Sequence, residues 1–152
     1  MSRSLARVTD ALRAAGLDAH PVAIGRCRTA AEAASAVGCA LDQIAKSIVF
    51  ACGDGCALFL TAGARQVDLR RAEMLAGHPL RRADAAQVRA VTGFAIGGVS
   101  PVGHLTPSPV WMDRHLMAFD RVWAAAGTPD HVFAVTPADL LRASGATLAD
   151  FS

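Results

Sequence analysis

The chain has 152 residues, of which 53% are hydrophobic and 18% charged, and its formal net charge is +2. This composition excludes a disordered chain, and the length predicts one domain over residues 1–152 with a core that needs neither disulfides nor a structural metal. Aromatic residues make up only 5%, and the net charge is small. Both argue against a protein that binds single-stranded nucleic acid by stacking or coats nucleic acid through bulk charge.

The first dozen residues carry no targeting signal that can be recognised. Arg3, Arg7 and Asp10 interrupt them, so they lack the apolar core of a signal peptide. No stretch approaches the roughly 20 apolar residues that a membrane helix needs. We therefore expect a cytoplasmic protein that has no membrane partner.

Apolar periodicity and capping residues predict the helices. Leu5, Val8 and Leu12 recur at helical spacing before Gly16, which predicts an amphipathic helix over residues 4–15. The other predicted helices begin at polar side chains that can accept a hydrogen bond from a free backbone N–H group. They run from Thr29 to Gly38, from Asp68 to Ala76, from Asp84 to Gly93 and from Thr136 to Gly145, and a further helical turn is predicted over residues 41–45.

Runs of β-branched and apolar residues predict the strands. Residues 46–51 and 57–61 form a predicted hairpin closed by a Gly-Asp-Gly loop at residues 53–55. Further strands are predicted over residues 19–24, 94–96, 110–112, 121–125 and 131–135. Several strands are hairpin neighbours and the helices are unevenly spaced, so we predict an α+β fold. Its core is a curved, mixed and largely antiparallel sheet, barrel-like and covered by helices.

Four cysteines fit none of the common zinc-ligand spacings. In a reducing compartment we interpret them as buried or incidental thiols, and a redox or metal role is the alternative. They are Cys27, Cys39, Cys52 and Cys56.

Residues 97–104, with the sequence Gly-Gly-Val-Ser-Pro-Val-Gly-His, follow one of the predicted strands directly. Three glycines and a proline predict a loop with unusual torsion angles and bare backbone amides. Such a loop can bring N–H groups to an anion or to a developing oxyanion. A tight turn that only lets two elements pack is the alternative interpretation.

Lys46 is the single lysine beside 14 arginines. A GC-rich genome accounts for the arginines, and a lysine at a strand edge is most often a solvated surface residue. The functional alternative is that its ammonium is a compact charge, which reaches a phosphate or hydroxyl where a guanidinium fork does not fit.

The remaining polar residues form no recognised catalytic motif. The five histidines have no metal-ligand spacing and no G-x-S-x-G sequence is present, so we expect no metal, no cofactor and no Ser or Cys nucleophile. Asp113 and His104 could serve a bound substrate or occupy ordinary surface positions. Three arginine pairs are interpreted either as solvated faces or as phosphate contacts to an RNA acceptor stem: Arg26 with Arg28, Arg70 with Arg71, and Arg81 with Arg82.

Taken with their order, these motifs resemble the YbaK/prolyl-tRNA-synthetase-associated domain family over nearly the whole chain. The resemblance rests on Ala45 to Phe50, on Gly97 to His104 with its Gly-x-x-x-Pro pattern, on the Asp113 region, and on Ala126 to Pro129 before a strand and a closing helix. It implies a free-standing deacylase that hydrolyses the ester of a mischarged tRNA, often proline tRNA that carries Ala, Ser, Thr or Cys.

The resemblance also implies roles for individual residues. Lys46 is the expected catalytic residue, placed on the terminal adenosine, and the loop from Gly97 to Pro101 is expected to hold the aminoacyl end. The expected substrate-binding residues are Ser47, Gly97, Gly98, Ser100, Pro101, His104, Asp113 and Gly127. Some family members that act on Ala carry Asn after the lysine, and Ser47 at that position leaves Ser, Thr, Cys or another small side chain open.

An aminoacyl ester is already activated, so we expect positioned water, oxyanion stabilisation by loop amides and help from the ribose hydroxyl of the substrate. The expected partner is the acceptor end of an aminoacyl-tRNA, and we also consider the cognate synthetase or an elongation factor. Two alternatives stay open: a non-catalytic module that binds the tRNA acceptor or the synthetase, and an unrelated small-molecule binding protein.

Overall fold

The computed structural model describes residues 2–152, in which the chain forms five α-helices and one mixed sheet of eight strands. The helices are α1 (Arg3–Ala14), α2 (Ala30–Val37), α3 (Leu69–Ala76), α4 (Ala85–Thr92) and α5 (Pro137–Ser144). The strands are β1 (Val22–Ala23), β2 (Ile44–Cys52), β3 (Gly55–Ala62), β4 (Arg81–Arg82), β5 (Val110–Asp113), β6 (Val122–Ala125), β7 (His131–Val135) and β8 (Thr147–Ala149). Two 3-10 helices span Leu41–Gln43 and Arg114–Ala118.

The sheet has the strand order β1-β7-β6-β2-β3-β5-β8, and β4 pairs with β2 outside this order. Four strand pairs are antiparallel, and the pairs β2–β6, β3–β5 and β5–β8 are parallel. These pairings confirm the predicted α+β fold with a mixed sheet. Within residues 2–152 the two edge strands, β1 and β8, do not pair with each other, so the sheet is not a closed barrel.

The hairpin of β2 and β3 has the predicted antiparallel pairing, with Lys46 opposite Thr61 and Cys52 opposite Gly55. Gly53 has a φ of 60°, whereas Asp54 does not have a positive φ. A positive φ at only the first loop residue is the pattern of a type II′ turn, which matches the twist of the flanking strands. Only the glycine permits this turn at no steric cost.

Successive residues of β2 point to opposite faces of the sheet, and each face packs against its own apolar cluster. On one face, Ala45 and Ala51 pack in the larger core with Leu58, Leu60 and Phe133. On the other face, Ile48 and Phe50 pack against a second cluster. That cluster contains Ala57, Phe59, Ala72, Leu80, Ala149 and Phe151. Lys46 shares the face of Ile48, and Ser47 shares the face of Ala45.

The predicted helix starts are confirmed by their capping hydrogen bonds. The side chain of Thr29 accepts from the Glu32 N–H at 3.1 Å, and Asp84 accepts from the Gln87 N–H at 2.7 Å. Asp68 and Thr136 cap their helices in the same way. Each cap satisfies one of the backbone donors that a helix start leaves free.

The predicted strand over residues 94–96 is wrong. Phe94 is fully buried, Arg7 lies over its ring at 4.9 Å from the centroid, and the Gly98 N–H donates to the Ala95 carbonyl oxygen at 3.0 Å. The segment is therefore a turn anchored by one aromatic side chain, and its apolar character reflects that anchor. The strand predicted over residues 19–24 shortens to β1.

Three short elements differ from the predictions. The turn predicted over residues 41–45 is a 3-10 helix that ends at Gln43, because Ile44 and Ala45 already pair with β6. The strands β4 and β8 were not predicted, since Arg81–Arg82 and Thr147–Ala149 are too short to show a periodic pattern. No helix within residues 2–152 has the length and apolar character to cross a membrane.

Candidate active site

The sheet opens along one side of β2, and a cavity fills the opening. On the side away from β3, strand β6 pairs only with Ile44 and Ala45, and β4 pairs only with Phe50 and Ala51. Residues 46–49 therefore have no neighbouring strand on that side. A cavity of about 610 Å³ lies there, which is a size that small-molecule sites commonly have.

Five stretches of the chain wall this cavity: residues 24–30 with the first turn of α2, residues 44–48 of β2, residues 96–99, residues 123–125 of β6, and residues 128–132. Much of the wall consists of small side chains, namely Ala30, Ala33, Ala45, Ala124 and Ala125. Trp123 lines the wall, which among the described residues contains no Phe or Tyr. Its side chain packs against the cluster of Ala33, Ala34 and Ile44.

Lys46 lines the cavity and is half-buried on β2. Its Nζ donates a hydrogen bond to the Arg65 carbonyl oxygen at 2.6 Å. Burial lowers the pKa of Lys46 below its ordinary value, and the carboxylates of Asp42 and Asp113 act in the opposite direction. An ammonium has three N–H donors, so two remain for a ligand.

Ser47 also borders the cavity, and its hydrogen-bonding groups are free. Its Oγ is buried and has no hydrogen-bond partner among the described residues. The two-residue hairpin loop makes Cys52 and Gly55 a hydrogen-bonded pair, and the bonded positions then alternate along β2. Ser47 therefore directs its backbone N–H and C=O away from β3, toward the open side of the strand.

The loop at residues 96–99 forms the wall on the other side of the opening. Gly97 has a φ of +94°, and a Cβ on Gly98 would lie 2.8 Å from the Thr128 Cα. The Gly98 N–H is not available to a ligand, because it donates to the Ala95 carbonyl oxygen. Within residues 2–152 the N–H groups of Gly97 and Val99 have no hydrogen-bond partner, and both residues line the cavity.

The rest of the predicted loop turns away from the cavity. Ser100 is fully buried, and its Oγ accepts from the Val102 N–H at 3.2 Å. His104 Nε2 donates to the Ser100 carbonyl oxygen at 2.5 Å, and its ring packs edge-on against Phe94. Pro101 and His104 border a separate cavity of about 190 Å³. These three residues thus stabilise the loop and do not line the larger cavity.

Asp113 and Gly127 lie behind the cavity wall. Asp113 is fully buried and accepts hydrogen bonds from Ala62, His115 and Ser152. Burial alone would raise the pKa of Asp113, but these hydrogen bonds together lower it. Gly127 has a φ of +97°, and a Cβ there would lie 2.8 Å from the Ser4 carbonyl oxygen on α1. It therefore allows the loop that carries Thr128 to pass close to α1.

The sequence did not point to His131, whereas it offered Arg26 and Arg28 as a candidate pair for phosphate contacts. His131 lines the cavity at the start of β7, and its Nδ1 lies 2.7 Å from the Thr128 Oγ1. Arg26 and Arg28 stand exposed at the rim, and neither guanidinium forms an ion pair or a hydrogen bond within the described residues. Of the three arginine pairs in the sequence, only this one borders the cavity. No motif spacing in the sequence indicated His131, because its contact with Thr128 lies within one tight loop.

The cysteines do not form a cluster. Cys52 and Cys56 lie on opposite faces of the hairpin, since Cys52 is paired with Gly55 and Cys56 with Ala51. Cys27 borders the cavity, and partial burial together with the carboxylates of Glu32 and Asp130 raises the pKa of its thiol. A protonated thiol is a poor nucleophile. No group of three or more His, Cys, Asp or Glu side chains within residues 2–152 could hold a metal ion.

A family model for the aminoacyl-tRNA editing domain matches residues 25–143, a range that includes every residue lining the cavity except Ile24. The chain belongs to the aminoacyl-tRNA editing domain family. The match confirms the resemblance to YbaK-type editing domains. That resemblance was based on the Lys46 strand and on the loop from Gly97 to Pro101. Editing domains act on aminoacyl-tRNA, so this assignment gives the general class of the site.

Two solved structures resemble this editing domain over its whole length, each with a TM-score of 0.94. One is described as a candidate trans-editing enzyme for prolyl tRNA synthetase; it is 47% identical, and the match covers 100% of this chain and 98% of that chain. The other is a scaffold protein used for computational epitope grafting; it is 45% identical, with 100% and 99% covered. The uncharacterized protein YwhH of Bacillus subtilis (strain 168) is 33% identical over 113 residues, which is 74% of this chain and 72% of that protein.

Proposed function

We propose that this protein hydrolyses, in trans, the ester bond between a tRNA and a small, wrongly attached amino acid. Proline tRNA charged with Ala, Ser, Thr or Cys is the proposed substrate. The family assignment and the similarity to a candidate trans-editing enzyme for prolyl tRNA synthetase support this proposal. The reaction is the addition of water across an activated ester, and its products are a free amino acid and an uncharged tRNA.

One observation carries the proposal: Lys46 lines the same cavity as Gly97 and Val99, whose backbone N–H groups have no hydrogen-bond partner within residues 2–152. Lys46 lies on one side of the opening, and Gly97 and Val99 lie on the other. A cation and two amide donors suit a substrate that has a ribose with its phosphate at one end and an ester carbonyl at the other. In this proposal Lys46 binds the terminal adenosine, and the loop amides stabilise the oxyanion that forms when water attacks.

The proton chemistry is assigned to groups of the substrate. Water attacks the carbonyl carbon, the ester oxygen of the ribose leaves, and the neighbouring ribose hydroxyl carries the proton between them. The cavity wall supports the assignment of the proton chemistry to the substrate. Its one thiol, Cys27, has a raised pKa, and a protonated thiol is a poor nucleophile. His131, oriented by Thr128, is the one imidazole at hand, and we propose that it orients the attacking water or the substrate hydroxyl.

The lining of the cavity supports a small amino acid. Five alanines of β2, β6 and α2 line it beside Ile24, Ile44, Ile48 and Ile96, so the wall is apolar, and Ser47 supplies an unpaired hydroxyl. A buried hydroxyl without a partner costs about 1–3 kcal/mol, so a ligand group that bonds to it recovers that free energy. We propose that Ser47 binds a polar group of the aminoacyl end.

The rim of the cavity supports binding of the acceptor end. Arg26 and Arg28 are exposed beside its mouth and have no acidic partner in the described chain. Guanidinium groups bind phosphate oxygens in a bidentate manner, and phosphate contacts supply most of the affinity for RNA. A local pair of this kind is consistent with a net charge of only +2, because it holds one end of the RNA.

The experiment is a deacylation assay over a panel of tRNAs, each charged with one amino acid. We expect hydrolysis of proline tRNA charged with one or more of Ala, Ser, Thr and Cys, and slow hydrolysis of correctly charged Pro-tRNA. A second substrate, in which hydrogen replaces the ribose hydroxyl next to the ester, should react at least tenfold more slowly. Binding of the acceptor end with no turnover on any substrate would identify the non-catalytic module instead.

A further inference from the structure

We propose that Asp113 is a positioning residue for Lys46, and that it acts through the turn at residues 62–65. The inference rests on the proposed function of Lys46. Asp113 itself cannot reach a ligand in the cavity, because it is fully buried and does not line the wall. Its connection to Lys46 runs instead through a short chain of hydrogen bonds.

The turn at residues 62–65 presents the carbonyl group that binds Lys46. It follows β3, and the Arg65 N–H donates back to the Ala62 carbonyl oxygen at 2.9 Å. Gly63 packs so closely on the 3-10 helix at Leu41–Gln43 that a Cβ would clash with the Leu41 carbonyl oxygen. The Arg65 carbonyl oxygen then accepts from Lys46 Nζ. The position of the ammonium therefore depends on the position of this turn.

Asp113 holds the turn at both of its ends. Its Oδ2 accepts from the Ala62 N–H at 3.2 Å and from the Ser152 Oγ at 3.0 Å. The Arg65 Nε in turn donates to the Ser152 Oγ at 2.9 Å. One carboxylate oxygen is thus bonded directly to the first residue of the turn and, through a single hydroxyl, to the last.

The other carboxylate oxygen fixes the orientation of Asp113. Its Oδ1 accepts from the His115 N–H at 3.0 Å and lies 2.7 Å from the His115 Nδ1. A buried carboxylate is costly unless hydrogen bonds satisfy it, and here both oxygens are satisfied. An apolar side chain at this position would leave the Ala62 N–H and the Ser152 hydroxyl without this acceptor. The carboxylate therefore holds the turn and also places a negative charge that favours the ammonium of Lys46.

Two carboxylates and one carbonyl group face Lys46. Asp42 binds the middle of the same turn, where its Oδ1 accepts a hydrogen bond from the Ala64 N–H at 2.8 Å. Asp42 and Asp113 both favour the charged form of Lys46, against the effect of burial. The Arg65 guanidinium is the one cation on the turn, and it is directed to Ser152. The network thus orients the ammonium and keeps it charged.

The test uses three variants of the network and one control. Ser152→Ala breaks the link between Asp113 and Arg65, Arg65→Ala removes the side chain but keeps the carbonyl group, and Asp113→Asn removes the charge. The control is Arg114→Ala, which lies next to Asp113 in sequence and breaks an exposed ion pair with Asp150. Each is assayed with the most reactive mischarged tRNA of the panel, and each is also made in a Lys46→Arg background, whose residual activity is high enough to measure.

We expect Ser152→Ala and Arg65→Ala to lower kcat about tenfold with KM nearly unchanged, because misplacing a reacting group lowers the rate more than the affinity. Arg114→Ala should match the wild type. In the Lys46→Arg background the same changes should have a much smaller effect, because the ammonium that they position has been replaced. Wild-type kcat in both variants, or equal fold-losses in the wild-type and Lys46→Arg backgrounds, would overturn the proposal.

A second readout does not depend on activity. Lys46 is the only lysine, so a ¹³C- or ¹⁵N-lysine label reports its titration by NMR without assignment. We expect Asp113→Asn to lower the pKa of Lys46 and Ser152→Ala to broaden or shift its side-chain signal, with Arg114→Ala unchanged. An identical lysine titration and signal in all four proteins would refute the positioning role. If the lysine responds as expected while no tRNA of the panel is hydrolysed, the network stands and the proposed function fails.

Discussion

The ammonium nitrogen of Lys46 lies 2.6 Å from the carbonyl oxygen of Arg65. This hydrogen bond joins a strand residue at the opening of the sheet to a turn 19 positions later in the sequence. It leaves two N–H donors of the ammonium available to a ligand. Lys46 therefore stands in a fixed position beside a cavity, although a lysine on a strand edge is ordinarily mobile.

Lys46→Arg should lose most of the activity, by about 10²-fold, while the protein stays folded. A guanidinium has a planar fork, so it cannot replace a compact ammonium that is held by one carbonyl oxygen. Loss of a single hydrogen bond costs only about 0.5–1.5 kcal/mol of unfolding free energy. Single-turnover kinetics and thermal unfolding measure the two effects separately. An arginine variant with the wild-type rate would show that any cation suffices.

Gly98→Ala should lose activity because of a backbone clash. The new Cβ would lie 2.8 Å from the Thr128 Cα, which cannot move as a flexible side chain does. The loops at residues 97–99 and 127–129 would separate, and both line the cavity. We expect a fall of at least tenfold in kcat/KM.

A matched control for Gly98→Ala is Gly38→Ala. Gly38 caps α2 with a φ of +75° and has open space around its Cα. Alanine there costs about 1 kcal/mol of stability through backbone strain and leaves the cavity untouched. If Gly38→Ala lowered kcat/KM as much as Gly98→Ala, the loss would reflect stability and not the contact with Thr128.

Ser47→Ala should weaken catalysis and leave the free protein as stable as before, or more stable. Removal of a buried hydroxyl without a partner relieves a desolvation cost of about 1–3 kcal/mol. If the hydroxyl binds the aminoacyl end, kcat/KM should fall about tenfold while Tm holds or rises. Unchanged kcat/KM for every amino acid of the panel would remove Ser47 from the substrate site.

Stability should depend on His104 in mildly acidic solution. Burial lowers the pKa of His104 below 6.5, and the nearby Arg7 lowers it further, against the hydrogen bond to Ser100. The unfolded chain therefore binds a proton more readily than the folded protein, so stability rises with pH up to about 6.5 and falls below it. Urea unfolding at pH 5 and pH 7.5 should show this loss. His104→Gln, which carries no titrating ring, should reduce the difference between the two pH values.

The helices and the central hairpin could be predicted because their signals are local. Thr29, Asp68, Asp84 and Thr136 each cap the helix that the sequence predicted, and the Gly-Asp-Gly loop sets the hairpin register. Phe94 misled the prediction, since a buried aromatic residue in a turn has the same apolar character as a strand.

The site could be predicted only in part. Lys46 and Gly97 were recognisable from their motifs, and both border the cavity. The place of Asp113 behind Lys46 could not be read from the sequence, because it depends on β5 pairing in parallel with β3. The opening of the sheet beside Ser47 likewise depends on where β6 and β4 stop pairing with β2.

A single-turnover assay tests the central claim most directly. Wild-type protein and Lys46→Ala are each mixed in excess with proline tRNA charged with Ala, Ser, Thr or Cys, and the ester that remains is followed over time. We predict rapid hydrolysis of at least one of these substrates by the wild type. Lys46→Ala should hydrolyse it no faster than buffer while its unfolding temperature stays within a few degrees of the wild type. Equal rates for the two proteins would contradict the assignment of catalysis to the cavity that Lys46 lines.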